Sequence, residues 1–229
     1  NTEDAYTGMH GFAHKGQPLE VATQTMVYTR EGVERAIRYA FHLAETRERP
    51  AGREAQVTLI DKANAIRAHD LWQRTFAEVA KEHPNIKTDH AYIDAACMWM
   101  VKNPEWFDVA VTPNLFGDII TDLGAMIQGG MGMAASGNIH PGRVSLFEPI
   151  HGSAPKYAGK NVASPLAAIM AAGMMLDYLG EKTAAAAIDR SIADLFANGR
   201  LKGAGTGMHP TNEVGDLVAA ELKKLAASV

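Results

Sequence analysis

A single cysteine, Cys97, stands among 229 residues, so no disulfide can close within the chain. Its surroundings, AACMWMV, are apolar, which makes it a buried structural thiol rather than a nucleophile and suits a reducing, cytoplasmic setting. Positive charge is not in excess. Lys and Arg number 22 against 26 Asp and Glu, a net charge of −4, and the electrostatic footprint of a nucleic-acid partner is missing. No apolar run is long enough to span a bilayer, so a membrane-spanning role is not expected. The run that comes closest, LAAIMAAGMMLDYLG, is broken by Asp177 and is rich in small residues, as in a close-packed core helix. No G-x-G-x-x-G follows a strand, and no repeat of solenoid length is visible.

What is present is apolar residues with period. At 47% hydrophobic, the chain can bury a substantial core in one or two domains. Residues 20–28 read as extended, and Thr29 can cap a helix that carries Val33, Ile37, Ala40, Phe41 and Ala44 at helical spacing and ends before Pro50. QVTLI at 56–60 is a short strand, followed by a helix from about Ala65 to His83 with Leu71, Trp72, Phe76 and Val79. HAYIDAACMWMV enters another helix, and WFDVAVT is a second buried strand that leads through Pro113 into a further helix. After Gly129 the texture turns to loop, in GNIHPGR and EPIHGSAPKYAGKN. Three helices near 165–179, 181–197 and 211–227 close the chain, with Thr211 as N-cap of the last. Strands alternating with helices predict an α/β fold.

Within NLFGDIITDLGAMIQGG (114–130), Asp118 and Asp122 lie one helical turn apart and share a face, beside the apolar stripe Phe116, Ile119, Ile120, Leu123 and Ile127. Two like charges at that spacing repel, and a hard divalent cation that prefers oxygen ligands would compensate them. A solvated acidic face near a helix N-terminus is the plainer alternative. Lys62 sits where a strand gives way to a helix, the place where α/β folds present groups to ligands. It reads as a general base or as an ordinary exposed lysine.

NTEDAY (1–6), DKAN (61–64), YIDA (92–95), NLFGDIITD (114–122) and FEPIHGSAP (147–155) occur in one order. Together they closely resemble the family of β-decarboxylating dehydrogenases of 2-hydroxy acids, which act on isopropylmalate, isocitrate, homoisocitrate and tartrate. The resemblance covers essentially the whole chain, and MWMVKNPEWFDVAVT with GDIITDLGAMIQGGMG look most like the 3-isopropylmalate branch. It implies an isopropylmalate dehydrogenase-like fold. Residues 1–128 would form a small dimerisation domain, and 129–229 the C-terminal part of a large cofactor-binding domain. MHGFAHKGQPLE (9–20) would correspond to the arm that pairs with a partner subunit. The glycine-rich opening segment and the substrate-clamping arginines of the family are not in this sequence, so the chain is expected to be the C-terminal portion of a longer enzyme.

The resemblance also implies roles. Asp94, Asp118 and Asp122 would hold Mg²⁺ or Mn²⁺, Lys62 would take the substrate's hydroxyl proton, and Tyr6 would protonate the product of decarboxylation. Lys62 and Asp94 would serve the partner's site in a homodimer with composite active sites, while Tyr6, Asp118 and Asp122 serve their own. His151, Gly152, Ser153, Ala154 and Pro155 look like the adenosine-binding loop. Lys156 and Tyr157 match the pair of NADP-using relatives, and Ser164 stands where relatives often have asparagine. The branch implies NAD, toward which this reading leans, with NADP left open. The expected reaction is metal-dependent oxidative decarboxylation of a small 3-substituted malate, with 3-isopropylmalate first. The alternatives are a sister substrate or a non-catalytic regulatory subunit, against which the retained catalytic positions argue.

Overall fold

The structure is a computed structural model that describes residues 2–140, 142 and 144–227. Asn1 of NTEDAY, and Pro141 and Arg143 of GNIHPGR, lie outside the described residues. Its contacts divide the chain into two compact units, Asn1–Leu123 and Gly124–Val229. The division falls inside a helix, whereas the sequence placed a boundary at 128/129.

The first unit opens with an antiparallel ribbon of β1 (His10–Ala13) and β2 (Val21–Gln24), which is largely exposed to solvent. Next comes α1 (Arg30–Thr46), capped as expected by the Thr29 side chain, which accepts from Gly32 N. Its stripe of Val33, Ile37, Phe41 and Ala44 is buried completely. β3 (Gln56–Asp61) is the central strand of a three-stranded parallel sheet, in the order β4-β3-β5. The intervening α2 spans Asp70–Ala80, β4 Lys87–Tyr92, α3 Ile93–Lys102 and β5 Val109–Val111; α4 (Asn114–Ile127) follows.

Side chains alternate across a strand, so β3 feeds two cores. Val57 and Leu59 join α1, α2 and β5 through Phe41, Trp72, Phe76, Val79, Val109 and Val111. Ile60 points the other way, to Ala96 of α3 and Ile120 of α4. A strand buried on both faces is why QVTLI reads as a short continuous apolar run.

In the second unit β6 (Ala135–Asn138) and β7 (Leu146–Pro149) pair antiparallel. The helices α5 (Leu166–Tyr178), α6 (Lys182–Ala197) and α7 (Thr211–Ala227) enclose Leu166, Ile188, Ile192, Leu195, Leu201, Val214 and Val218. Gly132 is fixed by space: a Cβ there would lie 2.3 Å from the Ala204 carbonyl oxygen.

Four expectations need correction. The helix placed from Ala65 begins at Asp70, because the Lys62 carbonyl turns the chain by accepting from Ala65 N (2.9 Å) and Ile66 N (2.8 Å), and a 3-10 turn at Arg67–His69 follows. His90–Tyr92 belong to strand β4 rather than to a helical approach; KTDHAY is a polar edge strand with no apolar alternation to reveal it. The loop-rich stretch after Gly129 contains the β6–β7 ribbon; the Ala, Ser, Gly and Asn of β6 carry little strand signal, and β7 is only four residues ending in Pro149. Thr211 is the first helical residue of α7 rather than the residue ahead of it, and its hydroxyl donates to Ala163 O at 2.6 Å.

Phe41 is fully buried, with its ring 5.5 Å from that of Phe76 and stacked 4.8 Å from His83. Phe41→Ala is expected to destabilise the first unit by about 3–5 kcal/mol, the cost of a large cavity. Urea denaturation of the two proteins measures it, and a loss below about 1 kcal/mol would mean the core collapses around the gap.

Candidate active site

Parallel strands that end side by side deliver their next residues to one edge. Asp61 and Tyr92 are register partners at the C-terminal ends of β3 and β4. Lys62 leaves the first strand, and Asp94 lies in the first turn of α3 beyond the second. Lys62 Nζ donates to Asp94 Oδ1 at 2.6 Å, with the aspartate mostly exposed. This hydrogen bond, helped by backbone donors and the ammonium charge, holds the Asp94 carboxyl below the usual carboxylate range.

A second pair forms elsewhere in the same unit. Tyr6 sits in a 3-10 turn, Ala5–Thr7, capped by Asp4, whose Oδ1 accepts from Ala5 N at 2.8 Å. Asp4 is 1% exposed, and its Oδ2 accepts from Leu115 N at 2.9 Å, which pins this turn to the start of α4. Asp4 has φ of 68° with ψ of −141°, outside the left-handed helical well and costly for a residue with a side chain, and the hydrogen bonds of its carboxylate hold it there. The Tyr6 hydroxyl then donates to Asp118 Oδ2 at 3.0 Å. That hydrogen bond, with desolvation and the carboxylate charge behind it, pushes the Tyr6 phenol above its ordinary value. Asp122 is exposed one turn further along α4.

The predicted residues are thus gathered into two separate couples, Lys62–Asp94 and Tyr6–Asp118. Among the described residues no three His, Cys, Asp or Glu side chains of one chain come together to hold a metal ion. Asp118 and Asp122 supply two hard oxygen donors from one helix face, the chemistry that Mg²⁺ or Mn²⁺ selects, and a third donor has to come from beyond that face.

In the second unit, residues 152–156 are exposed. His151 Nδ1 is 2.9 Å from Gly152 O, and Ala154 takes a left-handed φ of 42° ahead of the 3-10 turn Pro155–Tyr157. The Lys156 ammonium lies 4.8 Å from the centre of the Tyr157 ring. Ser164 turns its hydroxyl inward, donating to Gly132 O at 3.1 Å and accepting from Leu166 N at 3.3 Å. The chain after this loop is anchored to the start of α7: Asn161 Nδ2 donates to Asn212 Oδ1 at 2.6 Å.

Two supporting carboxylates escaped the reading of the sequence. Asp4 lies inside NTEDAY, two residues before Tyr6, and nothing in that motif marks it as a buried cap. Asp61 is fully buried behind Lys62; its Oδ1 lies 3.2 Å from His90 Nε2, while its Oδ2 has no partner. An aspartate directly preceding the lysine at the end of an otherwise apolar strand was the available signal.

A parallel-sheet unit that gathers a lysine, a tyrosine and carboxylates at its strand and helix ends is of the α/β class that presents groups to a ligand at one sheet edge. The chain belongs to the isocitrate/isopropylmalate dehydrogenase family, whose model matches residues 1–218. Among individual relatives, 3-isopropylmalate dehydrogenase of Thermobifida fusca is 48% identical over 221 residues, 95% of this chain and 60% of the relative. The protein of the same name from Corynebacterium efficiens is 48% identical over 222 residues, 96% of this chain and 62% of the relative. The crystal structure of isocitrate dehydrogenase from Methylococcus capsulatus superposes with a TM-score of 0.85 at 39% identity, covering 97% of this chain and 65% of that one. The chain therefore spans about three fifths of the length of the curated relatives it matches.

The Tyr6–Asp118 bond makes a titration prediction. Tyr6 should ionise above the ordinary tyrosine value of 10.0, and Asp118→Asn should bring it back down, since the amide neither attracts the phenolic proton as strongly nor repels a phenolate. NMR titration of the Tyr6 ring carbons follows this directly. An unchanged midpoint in the variant would show that the pair is not formed in solution.

Proposed function

We propose that this chain is the part of a β-decarboxylating dehydrogenase that carries its acid–base groups and metal ligands, with 3-isopropylmalate as substrate. The observation that carries this is the pairing of Lys62 with Asp94 and of Tyr6 with Asp118, in a chain of this family. The two 3-isopropylmalate dehydrogenases, at 48% identity against 39% for the isocitrate dehydrogenase, favour the isopropylmalate activity over isocitrate, homoisocitrate or tartrate. A reducing cytoplasmic setting fits the free thiol of Cys97.

The two couples suit the two proton transfers of such a reaction. Lys62, after its ammonium has released a proton to solvent, would take the hydroxyl proton as the C–H hydrogen leaves as hydride, and its bond to Asp94 fixes the position of the nitrogen. Tyr6 would donate a proton to the carbon that has lost CO₂; a phenol held protonated by Asp118 is in the correct form to do so. Asp118 and Asp122, with an Asp94 carboxylate, would hold Mg²⁺ or Mn²⁺, which supplies Lewis-acid polarisation of the substrate oxygens. The nicotinamide cofactor, NAD in this reading with NADP as the alternative, supplies the hydride acceptor. Residues 151–157 would cradle its adenosine end, with Lys156 and Tyr157 beside the ribose and Ser164 shaping the loop from below.

Because Asp94 is held by Lys62 and not beside Asp118, we place it, together with Lys62, in the site of a second copy. An isologous dimer makes two such sites at once. Met98 and Val101 of α3 are each 67% exposed and Ile119 of α4 is 56% exposed, apolar surface of the kind that subunits cover.

Asp118→Asn with Asp122→Asn keeps side-chain shape and removes the anionic oxygens. In the native protein this double variant should lose divalent-cation dependence together with turnover, with kcat down at least a thousandfold, about 4 kcal/mol. Steady-state rates against Mg²⁺ and Mn²⁺ with 3-isopropylmalate and either cofactor test it. Substantial cation-stimulated activity in the double variant would overturn the assignment.

A further inference from the structure

Behind the two couples runs a largely buried chain of hydrogen bonds. His69 is fully buried, and its Nδ1 lies 2.9 Å from the backbone N of Lys62. Its Nε2 is 2.9 Å from the Tyr28 hydroxyl, which is 2.7 Å from Asp4 Oδ1. The direction of every proton in this chain can be worked out. A backbone N–H can only donate, so Nδ1 is the acceptor and carries no hydrogen. A neutral ring then has its proton on Nε2 and gives it to Tyr28, and the one hydroxyl hydrogen of Tyr28 is left for Asp4. Burial lowers the imidazole's affinity for a second proton, which agrees with the neutral ring this polarity requires.

The two ends of the chain matter. At one end it holds the backbone of Lys62 where β3 stops and the chain turns. At the other it holds Asp4, which caps the turn bearing Tyr6 and also receives Leu115 N from the first turn of α4, ahead of Asp118. Three segments distant in sequence, 4–6, 62 and 115–118, are thereby fixed to one scaffold within the first unit.

We propose that His69 and Tyr28 are positioning residues that set Lys62 and the Tyr6–Asp118 couple in their reactive places; this rests on the reading of Lys62 and Tyr6 as the proton-transfer groups. Neither side chain reacts. Tyr28→Phe keeps the ring and its edge contacts with His69 and Trp72, while leaving the His69 N–H without an acceptor. His69→Ala removes the hold on Lys62 N, and His69→Asn returns an amide oxygen close to where Nδ1 stood. Small misplacement of a reacting group costs rate far more than binding.

The test uses the native protein with Mg²⁺, NAD and 3-isopropylmalate, either protiated or deuterated at the hydroxyl-bearing carbon. Tyr28→Phe and His69→Ala should each lower kcat at least about tenfold, with KM for substrate and Mg²⁺ within about twofold, and should raise the deuterium isotope effect on kcat as oxidation becomes slower. His69→Asn should recover most of the loss. A merely structural role would lower the amount of active protein and leave KM and the isotope effect alone. Should His69→Ala fail to fold, Tyr28→Phe, which preserves packing, decides the matter. Lys62→Met in the same panel separates the two levels. If Lys62→Met is inactive while Tyr28→Phe turns over with the wild-type kcat and isotope effect, the positioning role is wrong and the proposed chemistry stands. If Lys62→Met oxidises substrate at the wild-type rate, both fall.

Discussion

Parallel pairing of β3 with β4, in one register, is the constraint from which the arrangement of the site follows. The two strands run the same way and Asp61 lies opposite Tyr92, so the residues that leave their ends emerge together, and Lys62 meets Asp94. A slip of one residue would reverse which β3 side chains face each helical layer, exchanging Leu59 for Ile60. Both cores forbid it, because each face of β3 already has its own partners. The Lys62–Asp94 bond is too exposed to hold the strands in place by itself, because water screens a pair so open to it. Burial around Phe41, Trp72 and Ile60 holds the frame, and the ion pair is what the frame displays.

The opposite economy operates at the N-terminal segment. Here a buried carboxylate, Asp4, gathers donors from Ala5, Leu115 and Tyr28, and a carboxylate out of water requires that number of partners. A segment with little apolar surface of its own is thus fixed by polar contacts, and it presents Tyr6 to Asp118. Asp61 is the contrasting case, buried with one oxygen unpartnered directly behind Lys62.

The helices and the two buried strands were legible because their apolar residues repeat at the period their geometry demands: Val33, Ile37 and Phe41 in α1, and VTLI in β3. β4 and the β6–β7 ribbon were not, because an edge strand such as KTDHAY needs no apolar face and its pairing is decided by a strand far away in sequence. The same reason separates the visible from the hidden parts of the site. Asp118 and Asp122 can be related from spacing alone, whereas Tyr6 with Asp118, and Asp4 with Tyr28 and His69, are tertiary pairs with no local pattern. Lys62, Tyr6 and Asp94 drew attention through family motifs, and the chain belongs to that family. Asp4 and Asp61 share those motifs without any pattern that shows their supporting part, and Tyr28 and His69 lie outside them.

Within one chain Lys62 pairs with Asp94 and Tyr6 with Asp118, and in the function proposed above each couple completes the site of a different subunit. Subunit mixing decides it. Lys62→Met and the Asp118→Asn, Asp122→Asn double variant are each inactive in this account, but a hybrid dimer of the two contains one site with Tyr6, Asp118, Asp122, Lys62 and Asp94 all intact. Co-refolding equal amounts of the two native-length variants should restore activity to about a quarter of wild type, since half the dimers are hybrids and each hybrid has one working site. Activity that stays at the level of the separate variants, in a mixture shown by mass spectrometry to contain hybrids, would contradict the account and return all five residues to a site within a single chain.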